Sequence, residues 1–221
     1  MRLPGVYAPP VIVDPAIERY AEAHTTPDTP ELVQVAETTR SETTAPGMMV
    51  GQLEGRFLAM VVHMLQPQRV LEIGTFTGYS ALAMAAALPP GGRITTCEVS
   101  EQHAAIARRH FDASPYGDRI ELRFGPAIDT LRLLEGPYDL VFIDADKGGY
   151  QAYYEATLPL LGDRGVIALD NMLWRGQILD PADDDTRALA ATADHIRNDP
   201  RVECVLLTIR DGVMLVRKRP A

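Results

Sequence analysis

The chain has 221 residues, of which 46% are hydrophobic, and carries a formal net charge of −9. This length predicts one domain with a sizeable core, and the negative charge argues against a general nucleic-acid binder. The sequence has no run of 18 apolar residues, and its start, MRLPGVYAPP, has no apolar segment. We therefore expect neither a membrane span nor a secretory signal. With only Cys97 and Cys204, a reducing compartment fits, and we expect a cytoplasmic protein.

The first part of the chain, residues 1–46, is rich in Pro and Thr and predicts a helical cap region. Asp14 and Pro15 are typical of a helix start in VDPAIERYAEAH, and Thr29 with Pro30 predicts the same in DTPELVQVAETT. Apolar residues at helical spacing from position 50 to 64 predict a further helix. We expect residues 47–221 to form the ligand-binding core of the same single domain.

From residue 69 the pattern changes to strands and helices in turn. Helical stretches separate five short apolar segments: RVLEI, RITTCEV, IELRF, YDLVFID and GVIALD. This alternation predicts an α/β fold with a doubly wound, mostly parallel sheet. The runs VECVLLTI and VMLVRK follow, joined by Arg210-Asp211-Gly212. Asp-Gly between two such runs is a hairpin signal, so the last strand should be antiparallel to its predecessor.

The segment VLEIGTFTGYS ends the first strand and opens a helix. Gly74 and Gly78 permit a tight turn and a close backbone approach. Glu98 ends the next strand, 20 residues after Gly78, where a carboxylate can accept both ribose hydroxyls. Phe76 replaces the glycine that admits a pyrophosphate, so an adenosine without one is favoured. Ser80 lies in the first helical turn, where N–H groups could hold a ligand carboxylate.

A second group of polar residues follows the fourth and fifth strands. Asp144 ends one strand, and Asp170 with Asn171 ends the next. An all-oxygen set of this kind suits Mg²⁺, Mn²⁺ or Ca²⁺. Lys147 is one of only two lysines, and a lysine can lose its proton whereas a guanidinium stays charged. Lys147 is therefore a candidate general base, and a fixed positive charge is the alternative.

Three segments in this order, LEIGTFTGYS, IDADK and DNMLWRG, resemble those of the cation-dependent, S-adenosylmethionine-dependent O-methyltransferases of the caffeoyl-CoA and catechol type. The similarity covers roughly residues 27–218. It implies a class I methyltransferase fold, with a seven-stranded sheet, an antiparallel last strand and helices on both faces. The family is usually dimeric, so the resemblance also implies a homodimer.

The resemblance implies roles for individual positions. Those matching the family's S-adenosylmethionine contacts are Val50, Glu72, Gly74, Ser80, Glu98, Ala127 and Asp144. Those matching its metal ligands are Asp144, Asp170 and Asn171, of which Asp144 is also counted as catalytic. Lys147 matches the proposed general base, and Trp174 and Arg175 match a loop that approaches the substrate.

Two departures bear on the substrate. Asp146 precedes Lys147 where animal catechol enzymes have an aromatic residue, as it does in the caffeoyl-CoA type. The plant caffeoyl-CoA enzymes use a basic N-terminal residue and an insertion before the last helix to hold CoA. Here no lysine precedes Lys147, and PADDDTRALAATADHIRNDP is short and acidic. The sequence favours a compact catechol-like phenol, with a CoA ester or another natural product as alternatives.

Two other classes of function stay open as alternatives. A nicotinamide-dependent oxidoreductase would need a pyrophosphate-binding turn and leaves Asp170-Asn171 unexplained. A cofactor-binding protein without catalysis would not need Lys147. We expect the three tyrosines at 150, 153 and 154 to pack their helix rather than serve the site.

Overall fold

The structure is a computed structural model that describes residues 12–220. The helices are α1 Pro15–Ala23, α2 Pro30–Glu42, α3 Gly51–Leu65, α4 Tyr79–Ala87, α5 Glu101–Ala113, α6 Ala127–Leu131, α7 Tyr150–Thr157 and α8 Asp184–Asn198. The strands are β1 Arg69–Ile73, β2 Arg93–Glu98, β3 Ile120–Phe124, β4 Tyr138–Ile143, β5 Leu161–Leu169, β6 Val202–Leu207 and β7 Val213–Lys218.

The strands form one seven-stranded sheet in the order β3-β2-β1-β4-β5-β7-β6. Strands β1 to β5 pair in parallel. Strand β7 is antiparallel to both of its neighbours, β5 and β6. The doubly wound sheet and the antiparallel last strand are thus confirmed, because the Asp211-Gly212 turn returns the chain between β5 and β6.

Helices cover both faces of the sheet, as alternating side chains of the central strands require. Val70 and Phe142 belong to the core beneath α2, α3 and α4. Their chain neighbours Leu71 and Ile143 belong to the core beneath α7 and α8. Strands that are buried on both faces give continuous apolar runs, as in Leu140–Ile143 of β4, whereas the buried Glu72 interrupts the run in β1.

The helix starts before the sheet follow the predicted signals. Asp14 caps α1, since its Oδ1 accepts a hydrogen bond from the Ala16 amide at 2.7 Å. Helix α2 begins at Pro30 after Thr29, but the Thr29 side chain makes no capping hydrogen bond. Residues 1–11 of the predicted cap region and Ala221 lie outside the described residues, and the boundary at residue 46 stays a prediction.

The direction of strand order reverses between β1 and β4, both parallel. At such a point the loops after neighbouring strands leave toward opposite faces of the sheet, and a crevice opens between them. The polar strand ends predicted from the sequence meet there. Within residues 12–220, no helix is both long and apolar enough to cross a bilayer.

Candidate active site

A cavity of about 1320 Å³ opens at the carboxyl ends of the parallel strands. Of the predicted site residues, only Glu72 and Ser80 are not part of its lining. The lining includes Val50, Gly74, Glu98, Ala127, Asp144, Lys147, Asp170, Asn171, Trp174 and Arg175. Segments far apart in sequence therefore share one cavity, and their individual roles stay predictions.

Gly74 lies where the end of β1 meets the end of β4. Its φ is +101°, and a Cβ atom there would lie 1.8 Å from the main-chain oxygen of Asp144. No side chain fits such a contact with backbone atoms. Gly74 therefore lets the end of β1 lie directly against the end of β4, next to the acidic group.

Glu98, at the end of β2, organises the first turn of the cavity. Its Oε2 accepts a hydrogen bond from the Phe76 amide at 2.7 Å. Its Oε1 accepts from the amides of Val99 at 3.0 Å and Ser100 at 2.8 Å. Backbone donors hold a carboxylate in one orientation, so Glu98 presents a fixed, largely buried acceptor to the cavity.

Glu72 and Ser80 lie behind the cavity wall. The Ser80 hydroxyl donates to Glu72 Oε1 at 2.6 Å, and the Thr96 hydroxyl donates to Glu72 Oε2 at 2.5 Å. Burial raises the pKa of Glu72 to about 7, although both hydroxyls act to lower it. The Ser80 side chain is thus engaged with Glu72, and its contact with a cofactor carboxylate stays a prediction.

The acidic end of the cavity combines the ends of β4 and β5. These strands are neighbours, and the Asp170 amide donates to the Ile143 carbonyl at 3.0 Å. Asp170 Oδ1 accepts from the Asn171 amide at 2.6 Å. Asn171 has a φ of +57°, a left-handed conformation that asparagine tolerates better than most residues.

Lys147 lies at the centre of this group. Its Nζ donates to Asp144 Oδ1 at 3.0 Å, to Asn171 Oδ1 at 2.6 Å and to the Tyr150 hydroxyl at 2.7 Å. It also lies 5.5 Å from the centre of the Trp174 ring. Tyr150 packs in the core beneath α7 and α8, as expected from its position on the helix, and its hydroxyl also contacts the site lysine.

Sequence reasoning missed Glu54, which reaches the acidic end from α3. Glu54 is 1% exposed, and burial raises its pKa well above the usual value, with the neighbouring Asp170 carboxylate raising it further. Its Oε1 has no hydrogen-bond partner among the described residues. Arg210 Nε lies 3.7 Å from its Oε2. A glutamate four residues before Leu58 and eight before Val62, on a buried helix face, was the available signal.

These oxygens fit a divalent cation. Burial, then the charge of Asp144, raises the pKa of Asp170, so the ionised carboxylates destabilise one another. An ammonium already bonds to oxygens of Asp144 and Asn171, and an unpaired oxygen of Glu54 is buried beside them. Carboxylate and amide oxygens are the donors that Mg²⁺, Mn²⁺ and Ca²⁺ prefer.

A second acidic cluster lies away from the cavity, on α7 and the end of α8. Oxygens of Glu155 and Asp199 and a ring nitrogen of His195 lie within 4.8 Å of one another. Arg201 already pairs with both carboxylates, at 2.8 Å and 2.6 Å. This guanidinium supplies the positive charge that a metal ion would otherwise bring, so we assign the cluster to structure.

Most of the chain matches a known protein family. The sequence profile of the O-methyltransferase family matches residues 22–219. The caffeoyl-CoA O-methyltransferase of Petroselinum crispum is 36% identical over 186 residues, which cover 75% of this chain and 74% of that protein. The catechol O-methyltransferase domain-containing protein 1 of Mus musculus is 37% identical over 172 residues, covering 75% and 66%.

Solved structures of methyltransferases have the same fold as this chain. The SAH-bound Podospora anserina methyltransferase PaMTH1 superposes with a TM-score of 0.88 at 32% identity, covering 93% of this chain and 94% of that one. The Bacillus cereus O-methyltransferase in complex with SAH gives a TM-score of 0.85 at 31% identity, covering 92% and 97%.

The fold, with its crevice at the ends of β1 and β4, is that of a class I methyltransferase. The chain belongs to the O-methyltransferase family, as the resemblance predicted, and is a methyltransferase enzyme of the caffeoyl-CoA and catechol type.

Proposed function

We propose that this enzyme transfers a methyl group from S-adenosylmethionine to a hydroxyl of a vicinal-diol phenol and depends on a divalent cation. One observation carries the proposal: Lys147 donates to Asp144 and Asn171 in the cavity that also contains Glu98 and Gly74. Cofactor pocket, oxygen donors and a potential base therefore adjoin one another.

Support for S-adenosylmethionine comes from the pocket and from relatives. Structures of the Bacillus cereus relative and of PaMTH1 contain SAH, and that of TomG from Streptomyces achromogenes, at 26% identity, contains SAM. In this chain Glu98 would accept the ribose hydroxyls, and Gly74, Val50 and Ala127 would border the cofactor. S-adenosylmethionine supplies the methyl group on a sulfonium that is already activated for displacement.

Asp144, Asp170 and Asn171 would hold the divalent cation. When bound, such an ion lowers the pKa of a hydroxyl and fixes the position of its oxygen. A phenol with a pKa near 10 is about one part in a thousand ionised at pH 7, a deficit of roughly 4 kcal/mol. The enzyme must therefore make the nucleophilic oxygen available as well as position it.

With a divalent cation held by Asp144, Asp170 and Asn171, Lys147 would act as a neutral amine, having released its own proton to solvent, and would take the acceptor's proton. Its amine reaches the oxygens of Asp144 and Asn171 and the Tyr150 hydroxyl, so the chain holds it at the place where the acceptor oxygen would bind. A base must lie within hydrogen-bond reach of the proton that it removes. The alternative role of Lys147, a fixed positive charge, predicts that arginine can replace it.

The charges around the cavity support a compact acceptor rather than a CoA ester. The carboxylates that line it are Glu18, Glu54, Glu98, Asp144, Asp146, Asp170, Asp185 and Asp211. The Lys and Arg side chains that line it are Lys147, Arg175 and Arg210. An excess of negative charge repels the phosphates of CoA, whereas a neutral catechol carries no such penalty.

The remaining expectations are also proposals. We infer a homodimer that acts on a small phenolic molecule in a reducing compartment, with the cytoplasm as its location. The free thiols of Cys97 and Cys204 support the compartment. Light scattering during gel filtration tests the dimer.

The deciding experiment measures methyl transfer to a panel of catechols, caffeates, flavonoids and CoA esters, before and after exhaustive chelation. We expect turnover of compact catechols that chelation abolishes and Mg²⁺ or Mn²⁺ restores. Turnover that survives chelation would refute the cation dependence. The two alternatives left open by the sequence, a non-catalytic protein and a nicotinamide-dependent oxidoreductase, are not favoured, because the chain belongs to an O-methyltransferase family.

A further inference from the structure

The loop that carries Asn171 has an unusual backbone. Asn171, Trp174 and Arg175 have φ values of +57°, +44° and +53°, and Arg210 in the facing hairpin turn has a φ of +46°. Such left-handed conformations cost of order 1 kcal/mol or more each for residues other than glycine. They persist only where surrounding contacts impose them.

The turn between β6 and β7 provides contacts that impose these left-handed conformations. The amides of Met172 and Leu173 donate to the carbonyls of Gly212 and Asp211, both at 2.9 Å. The Asp211 side chain adds two further bonds: its Oδ1 accepts from the Arg175 amide, and its Oδ2 accepts from Asn171 Nδ2 at 3.4 Å. Asp211 therefore contacts both ends of the left-handed segment.

The two ends of the Asn171 amide have different neighbours. Oδ1 points toward Lys147 Nζ, 2.6 Å away, while Nδ2 points toward the Asp211 carboxylate. If the amide turned over, its NH₂ would face an ammonium and its oxygen would face a carboxylate. Both contacts would be repulsive, because each would pair two donors or two acceptors.

We propose that Asp211 is a positioning residue that orients the Asn171 amide, so that its oxygen and not its nitrogen faces the cation site. Asp211 acts through Asn171 and needs no contact with the acceptor or the cation. The proposal rests on the proposed cation dependence, and it assigns the carboxyl-terminal hairpin a part in the site. Partners of this kind change metal affinity by about 10- to 100-fold when they are removed.

Mn²⁺ binding, followed by electron paramagnetic resonance of the free ion, tests the proposal without any turnover. We expect Asp211→Asn to weaken Mn²⁺ binding about tenfold and to leave SAH affinity within about twofold. Glu203→Gln is the matched control, since it removes one negative charge from an exposed position on the same hairpin. It should leave Mn²⁺ binding unchanged.

A double-mutant cycle separates orientation from charge. In an Asn171→Asp background, either oxygen of the new carboxylate can face the site, and the amide introduced by Asp211→Asn can donate to the other. In the Asn171→Asp background, we therefore expect Asp211→Asn to weaken Mn²⁺ binding less than about twofold. An equal loss in both backgrounds would mean a charge effect and would overturn the proposal.

The outcomes also distinguish this proposal from the one it rests on. If the unmodified enzyme binds no Mn²⁺, the cation dependence fails and the orientation role fails with it. If the unmodified enzyme binds Mn²⁺ and Asp211→Asn binds equally well, only the orientation role is refuted. If Asp211→Asn alone does not fold, as lost SAH binding would reveal, the comparison of Asn171→Asp with the double variant decides. If the double variant binds Mn²⁺ more than about twofold more weakly than Asn171→Asp, the orientation role of Asp211 is overturned.

Discussion

The Nζ atom of Lys147 lies 2.6 Å from Oδ1 of Asn171 and 3.0 Å from Oδ1 of Asp144. A single amine therefore contacts residues from the ends of two neighbouring strands, β4 and β5. A substitution at position 147 can therefore test proton transfer by the amine separately from its positive charge.

Replacing Lys147 with arginine retains the positive charge but removes a group that can give up its proton. We expect Lys147→Arg to keep Mn²⁺ and SAH affinities within a few-fold and to lower the rate of methyl transfer more than tenfold. Single-turnover kinetics measure that rate. Lys218→Arg makes the same chemical change on β7, away from the cavity lining, and serves as the control. Near-normal single-turnover rates in Lys147→Arg would exclude the base role.

Glu98 holds its orientation through three backbone amides. Glu98→Gln keeps the size of the side chain but directs an NH₂ group at one of those donors, since only one oxygen remains. Hydrogen bonds to a charged group contribute about 1.5–3 kcal/mol, so SAH affinity should fall at least tenfold. Titration calorimetry measures it, with the exposed Glu121→Gln on β3 as control. Equal SAH affinities in the two variants would contradict the assigned role.

Glu72 should make stability depend on pH. Its pKa is raised to about 7 in the folded protein, so the folded state binds a proton that the unfolded state has lost above about pH 4.5. The free energy of unfolding should therefore fall as pH rises from about 4.5 through 7, by about 3 kcal/mol from this group. Urea denaturation of Glu72→Gln should lack this part of the fall. If the free energy of unfolding falls equally with pH in Glu72→Gln and in the unmodified protein, Glu72 is not the cause of this pH dependence.

Asp199 should stabilise the fold without serving the site. Its carboxylate accepts from the Tyr154 hydroxyl at 2.8 Å and from Arg201, whose guanidinium holds the pKa of Asp199 well below its usual value. This stabilisation should be complete above about pH 4 and be lost as the pH falls further. We expect Asp199→Asn to lower the free energy of unfolding by about 1–3 kcal/mol at neutral pH, measured by urea denaturation.

The same variant tests the assignment of the second acidic cluster. Mn²⁺ affinity and turnover should be the same in Asp199→Asn as in the unmodified enzyme, because Arg201 already neutralises that cluster. Weaker Mn²⁺ binding in Asp199→Asn would mean that Glu155, His195 and Asp199 hold a metal ion after all.

Much of the site could be predicted because it lies at strand ends. Once the alternation of strands and helices predicts a parallel sheet, Gly74, Glu98, Asp144 and Asp170 must meet at one edge. This follows from topology alone and needs no side-chain detail. The antiparallel hairpin was equally accessible, since Asp-Gly between two β-rich runs is a local signal.

The contacts made by Glu54, Tyr150 and Asp211 were not accessible in this way. Glu54 comes from a helix that precedes the sheet, Tyr150 had the spacing of an ordinary packing residue, and Asp211 had the composition of an ordinary turn. Their functional contacts join distant segments, and local propensity carries no information about such pairs.

The sequence by itself determined the order of the elements, the sheet edge that forms the site and the residue types gathered there. Those follow from local periodicity and from the fixed handedness of strand connections. Only the tertiary structure decided that the Lys147 amine bonds to the predicted cation ligands, and that the turn at Asp211 holds the Asn171 loop. The physical reason is that hydrogen bonds of about 3 Å depend on how helices and loops pack across the sheet, which no short segment specifies.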